Sequence, residues 1–116
     1  MSVEAVPGGP AGVRVLRAAG EIDVAAAPDL QERVVALIEG VAGVVLDLGP
    51  VTFLDSAGTR LVDTFARECG RRDIGFVAVA PRAAAPRRVL EIVGFGPPLI
   101  VEELSAAIAS VSTRTA

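Results

Sequence analysis

The stretch VVLDLGPVTFLDSAG, residues 44–58, holds the residues whose types and spacing are best suited to chemistry. It ends in Asp55, Ser56, Ala57 and Gly58, and Ser56 carries the only hydroxyl group of these four residues. Aspartate and serine side chains accept hydrogen bonds from the free N–H groups of a first helical turn, so one of Asp55 and Ser56 is expected to cap a helix. Taken alone, the Asp-Ser pair predicts a structural cap and no function.

Most other catalytic arrangements require residue types that this chain lacks. It contains no His, and all 11 of its basic residues are Arg. Ser-His-Asp triads, HExxH zinc sites and Walker P-loops each need one of the absent types. Asp47 and Asp55 could form a carboxylate pair for acid-base or metal chemistry, but no third ligand follows at a recognisable spacing. We therefore expect no catalytic residue, no metal site and no cofactor, and we do not expect an enzyme.

Length and charge limit the remaining possibilities. The 116 residues suit a single domain over 1–116, with a core over 13–111 and a frayed tail over 112–116. A net charge of −3 disfavours nucleic acid as a partner. A single cysteine, Cys69, excludes an internal disulfide, and it is expected to pack in the core. With no signal peptide and no apolar stretch of roughly 20 residues, a cytoplasmic protein without membrane insertion is expected.

Hydrophobic periodicity predicts the elements that position the stretch. Their order implies a mixed sheet with right-handed crossovers, whose helices bury its parallel part. The predicted strands are Ser2–Val6, Val13–Ala18, Val44–Leu48, Ile74–Ala80 and Leu99–Val101. The predicted helices are Pro28–Gly40, Ser56–Gly70, Pro86–Val93 and a last one carrying Leu104, Ala107, Ile108 and Val111. Five cations are expected to be solvated surface rather than a basic face, namely Arg71, Arg72, Arg82, Arg87 and Arg88.

Two segments in order give the chain a family resemblance. GEID at Gly20 to Asp23 and the stretch over residues 44–58 each lead into a helix, and RRVLEIVGF follows at residues 87–95. With these segments, the chain resembles the STAS family over Val13 to Val111, and within that family the bacterial anti-sigma factor antagonists. The resemblance implies the α/β STAS fold, a mixed sheet of four to five strands with about four helices packed on it.

The resemblance also assigns roles to residues of the stretch. It implies that a partner kinase phosphorylates Ser56, that Asp55 is needed for partner recognition, and that Asp23 is a polar residue close to the site. Ala57 replaces a second Ser or Thr that is frequent in the family, and Thr59 and Arg60 replace a small or apolar pair. Arg60 is either a solvated side chain or a cation within reach of a phosphate on Ser56. The expected partner-binding residues are Asp23, Asp55, Ser56, Ala57, Gly58, Thr59 and Arg60.

These implications define an expected function. The unphosphorylated chain would bind a sigma-factor-binding serine kinase and so release the sigma factor, in a partner-switching mechanism. Phosphorylation of Ser56 would add about −1.5 to −2 charges beside Asp55 and Asp23, and the resulting repulsion and desolvation cost would end the binding. A serine phosphatase would reset the cycle. The alternative is a stand-alone STAS subunit of a membrane transport complex, with no phosphorylation cycle.

Overall fold

A computed structural model describes residues 2–7, 10–22, 32–33, 35–81, 87 and 100–115. It contains six strands and two long helices over these residues. The strands are β1 (Ser2–Val6), β2 (Val13–Ile22), β3 (Gly43–Asp47), β4 (Val51–Leu54), β5 (Gly75–Val79) and β6 (Ile100–Val101). The helices are α1 (Ser56–Arg71) and α2 (Leu104–Thr115).

The strands form a mixed sheet in the order β1-β2-β3-β5-β6, with β4 paired to β2 off this path. β1 and β2 are antiparallel, whereas the β2–β3, β3–β5 and β5–β6 pairs are parallel. Parallel strands need crossover connections, which place helices over the sheet faces. The predicted mixed α/β sheet is therefore confirmed.

β3 is the central strand, and all five of its residues are buried. Because side chains alternate across a strand, Val44 and Leu46 join the core cluster that includes Phe65 and Cys69 of α1. Val45 joins a second cluster, which includes residues from α2. This double burial explains why the strand reads as a continuous apolar run in the sequence, and it confirms that Cys69 is a core residue.

Several predicted boundaries shift in the structure. β2 continues beyond Ala18 to Ile22, because its second half pairs with β4, a strand that the sequence did not predict. α2 ends at Thr115 and so extends over residues 112–115, beyond Val111, the last residue that the sequence analysis placed on this helix. Residues 32–33 and 35–37 of the predicted Pro28–Gly40 helix are helical. The rest of Pro86–Val93, apart from helical Arg87, lies outside the described residues.

The expectation that Arg87 is solvated surface is wrong. Its side chain is buried, and Nη1 donates a hydrogen bond to the carbonyl oxygen of Ala80 at 3.3 Å. Ala80 directly follows β5, so Arg87 binds the chain where that strand ends. Arg71 and Arg72 are exposed, as predicted, while Arg82 and Arg88 lie outside the described residues.

Candidate functional site

The site is built on the first turn of α1, which Asp55 caps. Its backbone is extended (φ −94°, ψ −172°), and its Oδ1 atom accepts a hydrogen bond from the Gly58 N–H at 2.8 Å. The Asp55 carbonyl oxygen accepts from the N–H and from the Oγ1 hydroxyl of Thr59, both at 2.9 Å. Of the two candidate caps in the sequence, the structure therefore uses Asp55. Ser56 is the first residue of the helix, and its side chain and that of Ala57 lie outside the described set.

The predicted partner-binding residues differ in their exposure. Arg60 is exposed and Asp55 is half-buried, whereas Gly58 is buried and Thr59 is only 6% exposed. Thr59 thus supports the capped turn from the inside through its hydrogen bonds to Asp55. Asp23 directly follows Ile22, the last residue of β2, and lies outside the described residues.

Two charged residues lie at the N-terminal end of α1, the capping Asp55 and Arg60. The Asp55 carboxylate interacts favourably with the positive end of the helix dipole, and the first turn that follows it contains no acidic residue. Arg60 makes no ion pair with any residue that the structure describes. The three arginines further along are paired, Arg67 with Asp63 at 2.8 Å and Arg71 and Arg72 with Glu68. Hydrogen bonds from two arginines lower the pKa of the Glu68 carboxyl from its ordinary value. The bond from Arg71 has the larger effect, and the bond from Arg72 the smaller.

One residue, Asp55, separates the end of the strand β4 from the start of this helix. It pairs in parallel with the second half of β2, so that Ile22 lies opposite Leu54, the residue before Asp55. The register between the two strands shifts after Gly20, and Glu21 lies opposite Phe53. The capped turn therefore begins at the carboxyl end of a parallel strand pair.

A buried carboxylate holds the turn between β3 and β4. Asp47 is 9% exposed, its Oδ1 atom accepts from the Gly49 N–H at 2.9 Å, and its Oδ2 atom accepts from Arg17 Nε at 3.3 Å. A Cβ atom at Gly49 would lie 3.1 Å from Oδ1, so glycine suits this turn. Both oxygens of Asp47 are therefore engaged by its own turn and by β2. Sequence reasoning missed this role, although an Asp two residues before a Gly is a turn signal.

Two further structural observations concern metals and membranes. Among the described residues, no group of three or more cysteine and acidic side chains is arranged to hold a metal ion. None of the helices that the structure describes combines the length and the hydropathy that crossing a membrane requires.

Solved structures with the same architecture include anti-sigma factor antagonists. An anti-sigma factor antagonist from Mycobacterium paratuberculosis is 28% identical, with a TM-score of 0.81 over 96% of this chain and 95% of that one. The anti-sigma factor antagonist SpoIIAA in its unphosphorylated form is 22% identical, with a TM-score of 0.77 and 97% of both chains covered. A structure of phosphorylated SpoIIAA from Bacillus also matches.

The same fold occurs in a transport protein. A sulfate transporter family protein from Wolinella succinogenes is 18% identical, with a TM-score of 0.73 over 91% of this chain and 89% of that one. A comparison with curated proteins finds no match.

A protein-family model matches the greater part of this chain. The family model described as "STAS domain" matches residues 7–109, which is most of the chain. The matched residues run from the residue after β1 into α2 and include the whole Asp55-capped turn. The chain therefore belongs to the STAS domain family.

Proposed function

We propose that this chain is an anti-sigma factor antagonist that works by partner switching. In its unphosphorylated form it binds a serine kinase that otherwise holds a sigma factor, and phosphorylation of Ser56 ends that binding. The observation that carries the proposal is the start of α1, where Asp55 caps the helix and Ser56 is its first residue. The likeness to the mycobacterial antagonist, at 28% identity, supports it.

The capped turn is suited to receive a phosphate. The first N–H groups of a helix have no partner within the helix, and Asp55 Oδ1 engages the one at Gly58. The remaining free N–H groups and the positive end of the helix dipole favour an anion at Ser56. Arg60 follows one turn later, and residues four apart are neighbours on a helix surface, so its guanidinium group would lie near that phosphate. Phosphorylation is therefore expected to leave the fold intact.

The same phosphate would oppose a partner surface that fits the unmodified site. It adds about −1.5 to −2 charges next to the Asp55 carboxylate. A negatively charged group on the partner surface at about 6 Å from this phosphate would cost about 3 kcal/mol at an effective dielectric constant of about 20. That energy corresponds to about a 100-fold loss of affinity, which is large enough for a switch.

The chain in this proposal is a binding module and a kinase substrate, and not an enzyme. The partner kinase brings ATP and Mg²⁺, and a serine phosphatase returns the chain to its binding form. Asp55 and Arg60 contribute accessible polar groups, while Gly58 and Thr59 maintain the shape of the turn from buried positions. The proposed partner-binding residues are Asp23, Asp55, Ser56, Ala57, Gly58, Thr59 and Arg60.

The test is phosphorylation by a serine kinase whose gene lies near the gene for this chain. The wild-type chain and Ser56→Ala are incubated with the kinase and Mg-ATP, and the peptide containing residue 56 is analysed by mass spectrometry. We expect one added phosphate on the wild-type peptide and none on the variant. If Ser56 receives no phosphate and the chain does not bind the kinase, a subunit of a membrane transport complex becomes the better reading. The likeness to the sulfate transporter family protein makes that function the second candidate.

A further inference from the structure

Phe53 is exposed where the chain approaches the capped turn. Its side chain is 48% exposed, and it is the only exposed large apolar side chain in the part of the chain that the structure describes. It lies on β4, two residues before Asp55 and three before Ser56. A single exposed aromatic ring is ordinary on a protein surface, so its significance depends on why it is exposed.

A bulge in β4 produces this exposure. Val51 lies opposite Gly20, and Phe53 lies opposite the next residue of β2, Glu21, so β4 contains one extra residue, Thr52. In a regular strand side chains alternate, and a buried Val51 would bring Phe53 inward and turn Leu54 outward.

The observed pattern is the reverse of that alternation. Val51 and Leu54 are buried, and Thr52 and Phe53 are exposed. The bulge thus places the smaller leucine in the core and turns the larger aromatic ring to solvent. β-Bulges frequently re-aim a side chain next to a functional site, and this one lies directly before the proposed phosphorylation site.

We infer that Phe53 is an anchor residue for the partner kinase, and that its ring enters an apolar pocket on the kinase beside the surface that receives Ser56. This inference rests on the proposed function. Phe53 and Asp55 are two residues apart, and Asp55 is extended, so their side chains leave the backbone on the same side. Buried aromatic rings are among the residues that contribute most to binding at protein interfaces.

The position of the ring also couples it to the switch. When the Phe53 ring packs into an apolar pocket, water is excluded from the surface around the ring. Ser56 lies close to that surface, three residues further along the chain. A phosphate there would have to lose hydration in order to let the ring enter its pocket, in addition to meeting charge repulsion. The anchor therefore makes the complex more sensitive to phosphorylation.

The experiment measures kinase binding by calorimetry, without ATP, for the wild-type chain, Phe53→Ala and Phe53→Gln. Thr52→Ala is the matched control, because Thr52 is the exposed neighbour on the same strand. We expect both Phe53 variants to bind about 10- to 30-fold more weakly and the control to bind within about twofold of wild type. Melting temperatures should stay close to that of wild type, since Phe53 contributes an exposed side chain.

A second measurement follows phosphorylation of Ser56 by the same kinase. We expect the KM for Phe53→Ala to rise by the same factor as the dissociation constant, with kcat unchanged, because the ring acts in binding. If the wild-type chain binds and is phosphorylated but Phe53→Ala binds within twofold, the anchor role is wrong and the proposed function stands. A wild-type chain that does not bind the kinase overturns both. Loss of self-association in Phe53→Ala, with kinase binding unchanged, would assign the ring to a second copy of this chain.

Discussion

Replacing Asp55 separates its role as a helix cap from its charge. In Asp55→Ala, the hydrogen bond from the Gly58 N–H to Oδ1, 2.8 Å in the structure, is lost. Removing an N-cap side chain costs about 0.5 to 2 kcal/mol, and we take about 1.5 kcal/mol because this cap also carries a charge at the positive end of a 16-residue helix. In Asp55→Asn, the side-chain carbonyl oxygen keeps the hydrogen bond, so only the charge–dipole attraction of about 0.5 kcal/mol is lost.

The expected changes in melting temperature follow from the size of the chain. An unfolding entropy of about 2.1 cal/mol/K per residue gives about 0.24 kcal/mol/K for a chain of 116 residues. Asp55→Ala should therefore melt about 6 °C below wild type, and Asp55→Asn about 2 °C below it. High salt screens the charge–dipole attraction but not the hydrogen bond, so the deficit of the Asn variant should nearly vanish in about 1 M salt, whereas most of the deficit of the Ala variant should remain.

Thermal melts followed by circular dichroism, at low and high salt, provide the assay. If Asp55→Ala melts at the same temperature as wild type, the cap does not stabilise α1 and the reasoning is wrong. Equal deficits for the two variants would show that the charge, and not the hydrogen bond, is the stabilising element. Because Asp55→Asn stays folded, its kinase affinity reports the contribution of the Asp55 charge to recognition.

Three other perturbations have expected outcomes. Burial raises the pKa of the Cys69 thiol from 9.0 to about 11, so the stability that the buried neutral thiol contributes is complete below about pH 9 and is lost as the pH rises towards about 11. A thiol reagent at pH 8 should therefore react with Cys69 only after unfolding, and rapid labelling of the native protein would contradict this expectation. Gly49→Ala should lower the free energy of unfolding by about 1 kcal/mol, because the added Cβ atom would lie 3.1 Å from Oδ1 of Asp47, a carboxylate held in place by two hydrogen bonds. The measurement is a urea titration, and an unchanged midpoint of unfolding would show that the turn adapts. Ser56→Ala should melt within about 2 °C of wild type, because Asp55 and not Ser56 caps the helix, and a much larger decrease would mean that Ser56 is chiefly structural.

The elements predicted from the sequence are those whose local pattern reflects their burial. β3 is an apolar run between glycines because both of its faces are covered. α1 was predicted within one residue at its C-terminal end, because its apolar spacing matches the face that it buries and Asp55 marks its start. The capped turn was likewise readable, since capping depends on residues three and four apart in the chain.

The features that the sequence did not predict depend on contacts between distant residues. β4 was missed because its bulge, set by pairing with β2, breaks the alternation that identifies a strand. Asp47 reads as an isolated acid in an apolar strand, and its contact with Arg17 follows from the β2–β3 register, which places the two residues opposite each other. The burial of Arg87 depends on the position of the Ala80 carbonyl. None of these contacts leaves a periodic signal.

The central claim is that a phosphate on Ser56 switches partner binding off by its charge. The direct measurement is the affinity of the partner kinase for the chain carrying phosphoserine at position 56, compared with Ser56→Ala and Ser56→Asp, at low and high salt. Ser56→Ala should bind as tightly as the unmodified chain, and it should stay bound when ATP is present. Ser56→Asp, which adds about one charge, should bind more weakly but better than the phosphoprotein.

The salt dependence identifies the cause. At about 0.1 M salt the phosphoprotein should bind about 100-fold more weakly than Ser56→Ala. That gap should narrow as the Debye length falls from about 10 Å to about 3 Å in about 1 M salt. If the phosphoprotein binds the kinase as tightly as the unmodified chain at low salt, the charge switch is wrong, and the transport-complex subunit becomes the better account of this STAS domain.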